Sequence, residues 1–287
     1  MAANPPAGPK KSFDAFGIGG VLFGLIAIGV AFIIEGGDLS SLVLPSPFII
    51  VFGGTFAALL AAFPFPTVMK LGKVFQKALF AEKEDPLEAV QTFVRLADKA
   101  RREGLLSLED EAAALHDEFM KDGIQEVVDG TPPEQISELL EIRIAEMEAR
   151  HKECFTMFLA AGGFGPTMGI IGTVLGLVVV LAGLATAGTD QLGHSIATAF
   201  IATLYGILSA NIFWLPMGER LKGRSAEEVA HKRMIVEGIL AIQAGDAPRL
   251  VRSKLEGFLS PADRKRSAQA AERAAGGVAE PAAAGAR

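Results

Sequence analysis

The chain has 287 residues, with 33 acidic and 27 basic side chains for a formal charge of −6, and half of its residues are hydrophobic. That balance excludes ordinary nucleic-acid binding, and a mean hydropathy of +0.37 excludes an ordinary soluble domain, since the excess sits in a few runs without charge. A lone cysteine, Cys154, excludes an internal disulfide and a cysteine-rich zinc site, so packing must supply the folding energy.

Lys10 and Lys11 precede an apolar run, Phe16–Ile34, as in a secretory signal, but no small-x-small cleavage site follows, and 19 residues rise about 28 Å as a helix. This is an uncleaved first span. Leu42–Phe65 is also uncharged, with Pro45 and Pro47 at its start and Pro64 and Pro66 at its end, where a missing amide does least damage. It forms the second span. Thirty-six uncharged residues separate Glu153 from Asp190, roughly 54 Å if helical, so part of the third span projects into water. The 28 positions between Asp190 and Glu219 hold only His194 as a titratable group and form the fourth.

Of the lysines and arginines, 2 precede span one, 12 lie between Pro64 and Lys152, and 13 follow Pro216, whereas the connectors Glu35–Pro47 and Ala185–Leu192 have none. The positive-inside rule places both termini and the large loop in the cytoplasm. The fold class is therefore an all-α membrane protein of four transmembrane helices, with a helical cytoplasmic domain between spans two and three. The expected divisions are 1–15 cytoplasmic, 16–65 spans one and two, 66–152 the loop, 153–217 spans three and four, 218–260 cytoplasmic helices, and 261–287 a disordered tail, which is rich in Ala, Gly and charge.

Punctuation divides the loop. Asp85 caps a helix with Pro86 at its first position, and Gly104 ends it. Ser107 with Asp110 opens a second helix that Gly123 closes. Thr131, Pro132 and Glu134 open a third, with Ile136, Leu140, Ile144 and Met147 at helical spacing, which runs on into span three.

In span three, Pro166, Gly169, Thr173 and Gly176 form one stripe, and Ala199, Thr203, Gly206 and Ala210 repeat the design in span four. Small residues at this spacing let helix backbones approach. The threonines then serve one of two purposes: packing, with hydroxyls turned back to helix carbonyls, or a polar path for a small cation. No Asp, Glu, Lys or Arg lies inside the spans, so if ions pass, a carboxylate must come from another chain. Spans one and two are bulkier, with one Gly-x-x-x-Gly at Gly20 and Gly24, and suit a lipid-facing shell.

Other motifs lead nowhere. Gly218–Ser225 has phosphate-loop glycine spacing, but Arg stands where Lys is required and no strand precedes it. His151 and Cys154 share a helix face without a third ligand, and no nucleophile elbow exists, so neither metal nor cofactor nor enzyme activity is expected.

Gly165-Pro-Thr-Met-Gly-Ile-Ile-Gly-Thr-Val-Leu-Gly176, Ala202-Thr-Leu-Tyr-Gly-Ile-Leu-Ser-Ala-Asn-Ile-Phe-Trp-Leu-Pro216 and Ala100-Arg-Arg-Glu-Gly-Leu-Leu-Ser-Leu-Glu109 resemble the A subunit of bacterial flagellar stators, the MotA/PomA family within the MotA/TolQ/ExbB group. The resemblance covers roughly residues 15–258. It implies a homo-oligomer of five A subunits around two B subunits of the MotB/PomB type in the bacterial inner membrane. Flow of H+ or Na+ would turn the A ring against the switch protein of the rotor's C-ring, and the B subunit would supply the aspartate. By the same resemblance, Thr55, Thr173 and Thr203 border the ion path, Pro166 and Pro216 couple flow to movement, and Arg101, Arg102 and Glu109 meet charges on the rotor. Composition alone reads those three charges as complements to helix dipoles. Ile201-Ala202-Thr203 and Phe164-Gly165-Pro166 depart slightly from the family pattern. The alternative within the group is an ExbB/TolQ-type energiser of the outer membrane, whose relatives have three spans.

Overall fold

The computed structural model describes the backbone of residues 10–13, 15–83, 85–185 and 188–276, and the side chains of 19–76, 85–185 and 188–269. The architecture is α-helical apart from a ribbon of two four-residue strands, β1 (Lys10–Phe13) paired with β2 (Phe80–Lys83). The all-α class holds, since the ribbon is only two four-residue strands, too short to leave a readable alternation in sequence. The described residues form two units, residues 11–82 with 148–225, and Lys10 with residues 83–147 and 226–276.

The first unit holds the apolar helices. α1 (Ala15–Ile34) has no charged residue. After it, Asp38 accepts hydrogen bonds from the Ser40 amide at 2.9 Å and hydroxyl at 2.7 Å, which hold its carboxyl below the usual range and cap a short 3₁₀ turn, Leu39–Leu42. The next run is α2 (Pro45–Phe48), a π turn (Ile49–Gly53) and α3 (Gly54–Ala62), which ends three residues before the expected Phe65, as Phe63 goes extended ahead of Pro64. α4 (Phe65–Val68) and α5 (Leu71–Leu79) follow. Three helical stretches, Leu39–Ala62, Pro133–Gly183 and Thr189–Gln243, are long and apolar enough to cross a membrane, while the described part of α1, Gly19–Ile34, is shorter.

In the second unit, α6 (Pro86–Glu103) starts where Asp85 accepts from the Leu87 amide at 3.0 Å and stops at Gly104, whose φ of +85° is open to a residue without a Cβ. A 3₁₀ turn (Leu105–Leu108) leads into α7 (Glu109–Ala113). Ser107 does not cap a helix as expected, since its hydroxyl donates to the Gly104 carbonyl at 2.7 Å and tightens the turn.

The following helix, α8 (Glu118–Val128), is capped by Asp117, and the Lys232 ammonium sits 2.9 Å from that carboxylate. Gly123 lies inside α8 and closes nothing. A Cβ there would come within 2.3 Å of Ile239 Cδ1, so the glycine exists for packing.

α9 (Pro133–Gly183) is one helix of 51 residues, and Ile136, Leu140 and Ile144 are fully buried, as their spacing predicts. They join Phe93, Leu96, Ile124, Ile235 and Ile239 in the core. α11 (Leu215–Gln243) and α12 (Pro248–Glu256) complete it. Asp246 and Glu237 beside Lys254 hold its ammonium above the usual range.

The tail expectation is corrected over its first part. α13 (Pro261–Gly276) is helical because Ser260 and Asp263 form a reciprocal cap, and Ser267 and Arg264 tie the helix to Glu256. Residues 277–287 lie outside the described residues.

Candidate functional site: the α9–α10 seam and the Gly104 corner

α10 (Thr189–Leu208) lies against α9 with almost no side-chain spacer. A Cβ at Gly206 would stand 2.6 Å from the Gly165 carbonyl oxygen and 3.0 Å from Pro166 Cα, and one at Gly169 would stand 2.8 Å from the Ala202 carbonyl oxygen. Gly172 and Gly176 meet the Ala202 and Ala199 methyls at 2.6 Å in the same sense. Glycine is required at these positions because the opposing atoms are backbone or a first side-chain carbon, which cannot swing away.

This approach brings Thr173 and Thr203 together. Their hydroxyls hydrogen-bond to one another, and Thr173 Oγ1 also lies 3.1 Å from the carbonyl oxygens of Gly169 and Ala199. A hydroxyl has one proton, so if Thr203 donates to Thr173, the Thr173 proton serves the two carbonyls. The stripe thus packs two helices and gathers four oxygens in a run without charge.

Thr55 shares no hydrogen bond with this pair. It is 2% exposed in α3 and its hydroxyl has no hydrogen-bond partner. α3 itself packs closely on α9, since a Cβ at Gly54 would meet Met168 Sδ at 2.7 Å.

The two prolines differ in setting. Pro166 is half-buried within α9, where it leaves the Gly162 carbonyl without its amide partner, and Thr167 donates to the neighbouring Phe164 carbonyl at 2.8 Å. Pro216 is exposed at the second position of α11, directly after a π turn at Ser209–Trp214. The widened turn accommodates a residue that cannot donate to the carbonyl four positions back.

Sequence reasoning missed Tyr205. Its hydroxyl donates to the Leu42 carbonyl and accepts from the Leu44 amide at 3.2 Å, while its ring meets Phe48 edge-on. Tyr205 thus pins the connection between the 3₁₀ turn and α2 by bonding Leu42 and Leu44, on either side of Val43. The signal was available, because a lone tyrosine in an apolar run needs a partner for its phenol.

The loop charges gather at the Gly104 corner. Arg101 and Arg102 lie in the last turn of α6 and Glu109 opens α7, all three exposed. Arg102 is held by Asp98 one turn back at 2.7 Å, and the bridges from Arg95 and Lys99, each 3.2 Å, go to Glu111. Among the described residues, Arg101 and Glu109 form no ion pair, so their charges are available to a partner.

Residues 111–234 match the MotA/TolQ/ExbB proton channel family, and residues 18–104 match the motility protein A N-terminal family. Motility protein A of Bacillus subtilis is 34% identical over 88% of this chain and 93% of its own length, and that of Treponema phagedenis 41% over 85% and 93%. The flagellar MotAB stator complex from Bacillus subtilis has a chain similar in structure at a TM-score of 0.81, 34% identical, covering 87% of this chain and 98% of its own. Identity at this level along nearly the whole length of named relatives decides the matter: the chain belongs to the motility protein A family, within the MotA/TolQ/ExbB proton channel group.

Proposed function

We infer that this chain is the ion-conducting, torque-generating A subunit of a bacterial flagellar stator, coupling cation flow to rotor rotation. Likeness to motility proteins along most of the chain favours this reading over the ExbB/TolQ alternative. The observation that carries it is the glycine-notched seam between the uncharged parts of α9 and α10, joined through Thr173 and Thr203. Such a seam offers a cation partial charges only, so the path needs a carboxylate from a B-type partner. Five A subunits around two B subunits is the assembly that the family resemblance implies, with H+ or Na+ as the cargo.

Four spans cross the inner membrane in this reading, α1 among them, with both termini and the loop in the cytoplasm. The lysine and arginine count supports that orientation. Thr55, Thr173 and Thr203 border the path, Pro166 and Pro216 let the helices rearrange as ions pass, and Arg101, Arg102 and Glu109 engage the rotor switch protein.

Two measurements test the reading: swimming restored to a stator-deleted bacterium by this chain with its B-type partner, and cation flux into liposomes holding the pair. Flux with the partner and none from this chain alone is expected. Substantial flux from this chain alone would refute the shared site.

A further inference from the structure

The elbow between α4 and α5 presents two kinds of exposed side chain next to each other. Phe65 and Met69 are 64% and 60% exposed. They share one helical face, since the Met69 amide donates to the Phe65 carbonyl at 3.1 Å. Lys70 follows at once, and the Val74 amide donates to its carbonyl at 2.9 Å, so Lys70, Lys73 and Lys77 fall in one helical register. The Lys70 and Lys73 side chains are exposed and form no ion pair among the described residues. No aspartate or glutamate stands between Pro64 and Leu79.

The other face of α5 fixes its depth. Leu71, Val74 and Phe75 pack on the Met157, Phe158 and Met217 core. The Phe75 ring lies 5.3 Å from that of Phe213, shortly before Glu219 ends the uncharged run of the fourth span. The Thr67 hydroxyl donates at 2.7 Å to Glu153, whose charge precedes the uncharged run of α9. Both neighbours hold the elbow at the ends of the uncharged runs, where hydrocarbon gives way to headgroups.

We propose that the α4–α5 elbow is a binding site for an anionic phospholipid of the leaflet it meets: the Lys70 and Lys73 ammoniums take the headgroup phosphate, and Phe65 and Met69 cover the start of an acyl chain. At this depth a lysine reaches the headgroups while its stem and the apolar pair stay among the chains. Charge selects the lipid, because a zwitterionic headgroup carries its own cation and gains less from two ammoniums. A free phosphate would satisfy the lysines alone and leave Phe65 and Met69 in water, so the apolar pair points to a lipid. The site needs only that α3 cross the membrane and does not depend on the stator reading; in the orientation proposed above, the leaflet is the cytoplasmic one.

The test uses the full-length chain assembled with its B-type partner in neutral detergent, with phosphatidylglycerol, phosphatidylcholine and inorganic phosphate as probes. Mass spectrometry of the intact complex should show phosphatidylglycerol bound in preference to phosphatidylcholine. The Lys70→Gln/Lys73→Gln double variant should bind phosphatidylglycerol about thirtyfold more weakly, as removal of two basic groups beside an anionic headgroup predicts, and should lose the preference. Phe65→Ser should bind it about tenfold more weakly. Lys121→Gln, which removes an exposed lysine from the second unit, should bind as wild type. The double variant should melt at the wild-type temperature in lipid-free detergent, which excludes misfolding as the cause. A photo-crosslinking residue at position 73 should attach to phospholipid in cells. Undiminished preference for phosphatidylglycerol in the double variant would overturn the site. So would displacement of the lipid by inorganic phosphate with no effect of Phe65→Ser, which marks a free-phosphate site, or crosslinking at position 73 to protein alone, which marks a second copy or the partner. Failure of the unmodified complex to carry ions or restore swimming would refute the stator reading and leave this site standing.

Discussion

Replacing Gly206 with alanine probes the seam directly. The added methyl carbon would lie 2.6 Å from the Gly165 carbonyl oxygen, short of ordinary contact at 3.4 Å by about 0.8 Å, and the opposing atoms are backbone. The helices must separate by most of that distance. Overpacking of this kind costs about 1–3 kcal/mol, and a seam opened this far also strains the Thr173 bonds to Thr203 and Ala199, worth about 1 kcal/mol each. Alanine's better helix propensity returns up to about 1 kcal/mol, leaving a net loss of about 2 kcal/mol. Gly163→Ala is the control, since nothing lies within 4 Å of a Cβ there. Thermal unfolding of the purified complex should show Gly206→Ala several degrees below wild type and Gly163→Ala unchanged or slightly raised. Equal behaviour of the two variants would refute the close backbone approach.

Pro166→Ala restores an amide to α9 and should assemble with unchanged or raised thermal stability yet support little swimming; wild-type speed would rule out a coupling role. Glu109→Lys should impair swimming without loss of membrane assembly, and a charge reversal on the rotor should recover part of it. The raised Lys254 ammonium contributes stability that is complete below its ordinary value of 10.5 and fades as pH climbs through the raised one. At 38% exposure the pair is screened and worth well under about 1 kcal/mol, so Lys254→Met should lower the melting temperature by about 1–2 °C at pH 7, a difference that closes in strong alkali. A cysteine at Asp190 in a Cys154→Ser background should react with an impermeant thiol reagent from outside, and labelling only after permeabilisation would invert the topology.

Features fixed by local chemistry could be read from the sequence. Asp85 caps α6, Gly104 ends it, and Ile136, Leu140 and Ile144 face the core, because each depends on residues within a turn or two. Features fixed at long range could not. Gly123 reads as a stop until Ile239, far along the chain, is seen to fill the space over it. Tyr205 and Leu42 are separated by 163 positions, and no local pattern joins them. The tail misled for a different reason. Its low apolar content hid a Ser260–Asp263 cap and the ties to Glu256, which suffice to hold α13 without a broad apolar face.

The candidate site divides along the same line. The stripe of small residues shows in sequence because its period is helical, but its depth does not. Only the distances reveal that Gly165 and Gly206 bring the α9 and α10 backbones into contact, and that this contact forces the two threonine hydroxyls together. Once joined, those hydroxyls are largely committed: Thr173 already faces two carbonyls and Thr203. A cation entering the seam would have to compete for oxygens that hold the helices to each other, so binding and helix separation are linked. In a run without charge, no residue of this chain could repay that separation at membrane depth. An acidic group brought by a second polypeptide could do so, and loosening the seam as it did would move α10 against α9 near Pro166, where one carbonyl is already free of its amide. On this argument the tight packing of the stripe and the proposed ion path would be one property, since oxygens not already bonded across the seam would leave nothing for the ion to release.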